Sequence, residues 1–135
     1  MGHVIYLLDT TIISALLRNN QTVFDAVEHH KDDILSLCPP VHFEVRRGLL
    51  WKDAQVQLDT YIQDLVPRFT WIPLLEADWE QAAALWAQTR KAGRQLSDID
   101  LLIAAIALRV KGTIASNDAD FDALDIPRVN WHSTP

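Results

Sequence analysis

Five consecutive apolar or aromatic residues, Val4–Leu8, run straight into Asp9. A run this short, with no polar alternation, reads as a strand buried on both faces, and such strands belong to parallel sheets covered by helices. The chain alternates accordingly. Thr10–Arg18 reads as a helix with Ile12, Ile13, Leu16 and Leu17 apolar, and Thr22–His30 as a second. Ile34–Cys38 is a second strand, stopped by Pro39-Pro40, which have no amide to give a ladder. Val41–Trp51 follows as a helix. Ala54–Val66 carries Leu58, Tyr61, Ile62 and Leu65 at helical spacing. Phe69–Ile72 is a third strand, and Ala77–Arg90 a helix with Trp79, Ala83 and Trp86 on one face. Ser97 opens a helix that runs to Val110 and is ended by Gly112. Thr113–Ala115 and Val129–Trp131 complete the strands. The expected fold is α/β with a mainly parallel sheet, and ligands in such sheets bind beyond the carboxyl ends of the strands.

The 135 residues suit one domain, and 49% hydrophobic with 22% charged residues describes an ordinary globular chain. The longest uninterrupted apolar run, Leu101–Leu108, is far short of the roughly 20 residues a membrane helix needs. The first basic residue is Arg18, so no secretory signal is expected, and a cytoplasmic location with no membrane partner is the expectation. One cysteine, Cys38, excludes an internal disulfide, and its place after an apolar strand suggests a buried, inert thiol. The glycines are too scattered for a dinucleotide or Walker A loop, and neither G-x-S-x-G nor H-E-x-x-H occurs. The adjacent His29-His30 pair reads as solvated.

The net charge is −6, so the overall field does not draw nucleic acid to this protein. Any RNA or DNA must be received by a local device, and a bound cation is one. Most acidic residues read as surface: Asp32 and Asp33 in a turn, Asp53, Asp59 and Asp64 on a polar helix side, and Glu76, Asp78 and Glu80 at a helix N-terminus. Four stand apart. Asp9 lies at the carboxyl end of the first strand, although it could serve only as a helix cap. Asp100 opens the apolar helix, although Ser97 and Asp100 could form nothing more than a capping box. Glu44 lies one turn before Gly48, and Asp118 follows the strand Thr113–Ala115, with Asp120 and Asp122 as close competitors. In a wound sheet these places converge on one edge. Converging carboxylates repel, and a hard divalent cation with oxygen ligands offsets that repulsion. Metal-dependent phosphoryl chemistry is the reading the residues support.

At these residues the sequence resembles a PIN domain of the VapC type, the toxin ribonuclease of a bacterial toxin–antitoxin pair. Leu7-Leu8-Asp9-Thr10-Thr11 is similar to the family's opening L-D-T-[NS], and Glu44–Gly48 to its E-x-x-x-G. Asp100–Ala105 is similar to D-x-x-I-A-A, and Ser116–Phe121 to the late T-x-[ND]…D-F segment. Thr11 stands where Asn or Ser is usual, and Ser116 where Thr is usual. The resemblance runs nearly end to end. It implies a single PIN domain over residues 1–135, a PIN-like three-layer sandwich with a mainly parallel central sheet. It implies a Mg²⁺ or Mn²⁺ site built from Asp9, Glu44, Asp100 and Asp118, supported by Thr11, Asn117 and Asp120, with Asp118 or Asp120 as the fourth acid. It further implies endonucleolytic cleavage of RNA, a homodimer, and a cognate antitoxin protein.

Arg46, Arg47, Lys91 and Arg94 are candidates to supply the local positive charge for RNA phosphates, against an ordinary solvated basic face. Two other readings stand beside the ribonuclease. One is a Mg²⁺-dependent phosphatase with Asp9 as nucleophile, although Thr11 sits where a second aspartate is common in such enzymes. The other is a non-catalytic binding module on the same fold, which would be free to lose acids that this chain retains.

Overall fold

The computed structural model describes residues 3–133. Strands β1 (Ile5–Leu8), β2 (Ile34–Leu37), β3 (Thr70–Trp71), β4 (Thr113–Ala115) and β5 (Arg128–Val129) form one sheet. Its order is β3-β2-β1-β4-β5 and every pairing is parallel. The central strand β1 is sealed, with Leu7 and Leu8 buried. Among the described residues, six α-helices flank the sheet: α1 (Thr10–Leu17), α2 (Gln21–His29), α3 (Pro39–Trp51), α4 (Gln55–Thr60), α5 (Glu76–Lys91) and α6 (Asp98–Val110). From β1 the chain winds outward through β2 and β3, then returns across to β4. Right-handed crossovers in opposite directions carry the connecting helices to opposite faces, giving three layers. The order reverses between β1 and β4, which makes their carboxyl ends the crevice of the fold.

The apolar helix behaves as its sequence requires. Leu101–Ala107 are all buried, and the Ser97 hydroxyl caps α6 by accepting the Asp100 N–H at 3.1 Å. Among the described residues, no helix is long and apolar enough to cross a membrane. Cys38 is buried, and burial pushes its thiol up to about 12.

Several expectations need correction. Pro39 and Pro40 do more than stop β2: they occupy the first turn of α3, where proline's fixed φ and missing N–H suit a helix start. The helix expected over Ala54–Val66 is not one regular helix. After α4 the backbone widens into a π-helical turn, Tyr61–Leu65, and tightens into a 3₁₀ turn, Val66–Arg68, around Pro67. Tyr61 is fully buried there, and its hydroxyl lies 2.7 Å from His42 Nδ1. The Leu58/Tyr61/Ile62/Leu65 stripe therefore packs on the protein's own core. Gly112 does not supply the left-handed end of α6. Lys111 does, at φ 56°, while Gly112 is needed because a Cβ there would lie 2.6 Å from Leu7 Cδ2 and 3.0 Å from the Ile5 carbonyl oxygen. His30 is not merely solvated: its ring is half-buried and stacks on Trp131 with centroids 4.7 Å apart. Asp78 does serve the N-terminus of α5, accepting the Leu75 N–H, but it is also buried and gripped by Arg109 at 2.9 and 3.1 Å. Trp79, Ala83 and Trp86 face outward, and α5 packs through Ala82, Leu85 and Thr89 instead.

Candidate active site

Local chain direction brings Asp9 to the crevice. Leu8 pairs with Ala115 in the β1–β4 ladder, so the next residues, Asp9 and Ser116, stand side by side. The Asp9 N–H continues the ladder to the Ala115 carbonyl at 3.0 Å. Its carboxylate is then fixed on both oxygens. Oδ1 accepts the Thr10 N–H at 2.7 Å, and Oδ2 accepts the Ser116 hydroxyl at 2.5 Å and the Thr11 hydroxyl at 3.3 Å. Asp9 thus caps α1 with one oxygen and is held by side chains at the other; capping alone does not describe it.

Glu44 reaches the same place from α3. Thr10 donates its hydroxyl to Glu44 Oε1, and Arg47 lies 3.6 Å from Oε2. Gly48 leaves open space one turn on. Asp100 enters from the first turn of α6. Asp118 enters from the loop after β4, with its N–H donated to the Ser116 hydroxyl at 3.0 Å and its Oδ1 accepting the Asp120 N–H at 2.9 Å. Ser116 therefore ties Asp9 and Asp118 together.

All four acids line one pocket of about 340 Å³, together with Thr10, Thr11, Ser14, Arg18, Ser97, Asn117 and His132. Asp120 is exposed and does not line it, and Asp122 is paired with Arg128 at 2.9 Å. Asn117 and Thr11 are joined across the pocket wall, the Asn117 N–H donating to the Thr11 hydroxyl at 3.3 Å. Of the basic residues named from sequence, Arg47 lies beside Glu44 but does not itself line the pocket. Arg46, Lys91 and Arg94 do not line the pocket.

The electrostatics follow from this crowding. Burial raises the Asp9 carboxyl above its ordinary value and the Glu44 charge adds to it, while the bonds from Ser116, Thr10 and Thr11 oppose the rise. Asp100 is pushed up to about 7, first by burial and next by the Asp9 charge, with Asp118 and Glu44 adding. A carboxyl titrating near neutrality in a cleft is a mark of functional sites.

The donors are all oxygen: four carboxyls and the hydroxyls that orient them. Among the described residues, no three His, Cys, Asp or Glu side chains form a ready-made metal cage. The carboxyls surround a space with room for water instead. Mg²⁺ takes one or two direct carboxylates and keeps several of its waters, so this donor set fits such an ion.

Sequence reasoning missed Thr10, Ser14, Arg18, Ser97 and His132 as members of this pocket, and Ser116 as the residue behind it that ties Asp9 to Asp118. Thr11, Ser14 and Arg18 follow helical spacing after Asp9, a signal that was available. Ser116 follows from the β1–β4 register, which only the folded sheet provides. His132 arrives from the far end of the chain, with no local signal.

Comparison with known proteins identifies the family and the fold. The family model described as PIN domain matches residues 6–127. A curated relative, ribonuclease VapC11 of Mycobacterium tuberculosis, is 30% identical over 95 residues, covering 67% of this chain and 66% of that protein. The match therefore spans just under two-thirds of the relative's length. The crystal structure of FitAcB from Neisseria gonorrhoeae superposes with a TM-score of 0.82 at 26% identity, covering 94% of this chain and 98% of that one. A toxin–antitoxin complex from Klebsiella pneumoniae shares the fold, with a TM-score of 0.71 at 21% identity over 93% of this chain and 97% of that one.

Proposed function

This chain belongs to the PIN domain family, and from that premise we propose that it is the ribonuclease toxin of a toxin–antitoxin pair. In this reading it cuts RNA internally, with Mg²⁺ or Mn²⁺ held by Asp9, Glu44, Asp100 and Asp118. The carrying observation is the convergence of these acids, from four separate segments, on one pocket at the switch point of the sheet. A relative named as a ribonuclease and a structural neighbour that is a toxin–antitoxin complex support the same activity and an antitoxin protein as partner. A homodimer belongs to the same reading.

When bound, the cation supplies positive charge at the attacked phosphodiester and an activated water. The chain's own groups set the stage for it. Ser116, Thr11 and the Thr10 N–H hold the Asp9 carboxylate in one orientation. The Thr10 hydroxyl does the same for Glu44, so one Thr-Thr pair orients two acids from different elements. Asp100, pushed up to about 7, holds a proton in part of the molecules at neutral pH, and a cation held among the carboxyls would favour its ionised form. Such preorganised groups act without rearrangement at the moment of reaction.

The test is cleavage of labelled RNA by the purified chain. Cleavage is expected with Mg²⁺ or Mn²⁺ and not in EDTA. Asp9→Asn and Asp100→Asn should each lower the rate by roughly 100-fold or more. Asp118→Asn should do more damage than Asp120→Asn. Full activity in EDTA, or wild-type rates from either Asp9→Asn or Asp100→Asn, rejects the metal-site reading.

A further inference from the structure

A pocket rimmed by four acids, on a protein of net charge −6, must still receive a polyanion. Among the described residues, Arg18 is the one arginine or lysine that lines it. Arg18 sits at the end of α1, where its backbone N–H bonds the Ser14 and Ala15 carbonyls at 3.1 and 3.2 Å. Its place on the chain is therefore fixed. Its guanidinium is not engaged: it takes part in none of the ion pairs or side-chain hydrogen bonds formed among the described residues. Arg109 and Arg128 behave differently, each gripping a carboxylate through two nitrogens. A cation at a helix C-terminus is favourable to the dipole, but that role alone does not place it on the wall of an acidic pocket.

The wall between Asp9 and Arg18 is polar throughout. Thr11, Ser14 and Arg18 fall on one face of α1 at helical spacing, while Ile12, Ile13 and Ala15 are buried. Asp9 and Arg18 are nine positions apart, about 13 Å along the axis. Arg18 nevertheless lines the same pocket as the carboxylates. His132 closes the pocket beside it, and its Nδ1 is buried without a partner.

We infer that Arg18 is a substrate-binding residue: its guanidinium clamps a phosphate of the RNA strand one or more nucleotides away from the bond that is cut, and the Thr11–Ser14–Arg18 face is the track along which that strand leaves the carboxylates. The inference rests on the ribonuclease reading above and names the contact that admits its substrate. Planar guanidinium and phosphate pair through two parallel hydrogen bonds, which fixes the strand's position as well as its charge. Placed beyond the carboxylates, the clamp does not compete with a cation for them.

The experiment measures binding of a short, labelled single-stranded RNA in Mg²⁺ across a salt series. The chain carries Asp9→Asn so that the RNA stays intact. Adding Arg18→Gln should weaken binding several-fold and lower the slope of log affinity against log salt by about 0.7, the value for one lost phosphate contact on a single strand. Arg18→Lys keeps the charge and should restore the slope but not all of the affinity. Unchanged affinity and slope in Arg18→Gln overturn the inference and leave the ribonuclease reading standing. An equal loss in Arg18→Gln and Arg18→Lys with the slope unchanged also overturns it, since that pattern marks a structural role. If the unsubstituted chain cuts no RNA and the Asp9→Asn chain binds none, the ribonuclease reading itself fails and takes the inference with it.

Discussion

A proton and, in the proposed site, a divalent cation compete for Asp100. Its carboxyl titrates at about 7 in the folded protein, against 3.8 for a free side chain, because burial and the Asp9 charge both oppose its ionisation. The folded state therefore holds more protons than the unfolded chain between those two values. The stability this contributes is complete below the unfolded pKa and is lost as pH rises through the folded one. Asp100→Asn has no such proton to lose, and its amide leaves the Ser97 cap on the backbone N–H intact. In EDTA at neutral pH it should melt above the wild type, and the gap should close as pH falls toward 3.8. Saturating Mg²⁺ should shrink or reverse the gain, since only the wild type keeps the full set of acids. Melting curves in the two buffers check this. A variant equally destabilised in both would show Asp100 to be a helix-start residue and nothing more.

The turn that delivers β4 to the site is set by two neighbouring residues with opposite demands. Lys111 takes the left-handed conformation, which costs an L-residue about 1–2 kcal/mol relative to glycine. Gly112 has no unusual φ but no room: Leu7, fully buried, and the Ile5 carbonyl fill the space a Cβ would need. Lys111→Gly should therefore stabilise the protein, by about 0.5–1 kcal/mol once the extra freedom of the unfolded chain is counted. Gly112→Ala should destabilise it by about 1–3 kcal/mol, because β1 and α6 cannot part without disturbing the core. Urea unfolding of the two variants gives both signs; a stabilising Gly112→Ala would mean that β1 yields more easily than its burial implies. Farther back, Arg109 of α6 grips buried Asp78 of α5 and the Pro73 carbonyl at 2.8 Å. Burial raises the Asp78 carboxyl, but the guanidinium and the Leu75 N–H outweigh it and hold it below its ordinary value. That pair fixes α6, and with it Asp100, against the neighbouring helix.

Over the whole molecule, an excess of acid is borne partly on the surface and partly in one pocket, and salt distinguishes the two. Monovalent ions screen the dispersed charges within about a Debye length. A cation bound specifically by the folded pocket adds stability that grows with its concentration, about 2.7 kcal/mol at a hundredfold excess over Kd. MgCl₂ should therefore raise the melting temperature more than NaCl at equal ionic strength, and Asp9→Asn together with Asp100→Asn should remove the excess. Equal effects of the two salts would mean that the carboxyls share no bound ion. Polar groups from the end of β1 at Asp9, from α1, α3 and α6, and from the loop after β4 all meet in that pocket, so it exists only when the sheet and both helix layers are assembled.

The sequence by itself determined the parallel α/β architecture, because apolar runs such as Val4–Leu8 and Leu101–Ala107 can be buried in few ways. It also determined which acids stand at strand ends and helix starts, since Asp9, Asp100 and Asp118 each sit beside a local boundary signal. Helix ends were less legible: prolines at 39 and 40 could stop a strand or start a helix, and only the packed chain shows α3 beginning on them. Likewise Pro67 and the burial of Tyr61 jointly bend the segment after α4, and neither alone predicts a π-helical turn. Only the tertiary structure decided that Asp118, and neither Asp120 nor Asp122, faces the other acids. It alone set Ser116 beside Asp9, through strand register across more than a hundred residues. It alone brought Arg18 and His132 to one pocket while leaving Arg46, Arg47, Lys91 and Arg94 off its wall. Spacing along a chain fixes which face of an element a residue occupies. What that face meets depends on how elements far apart in sequence are laid side by side.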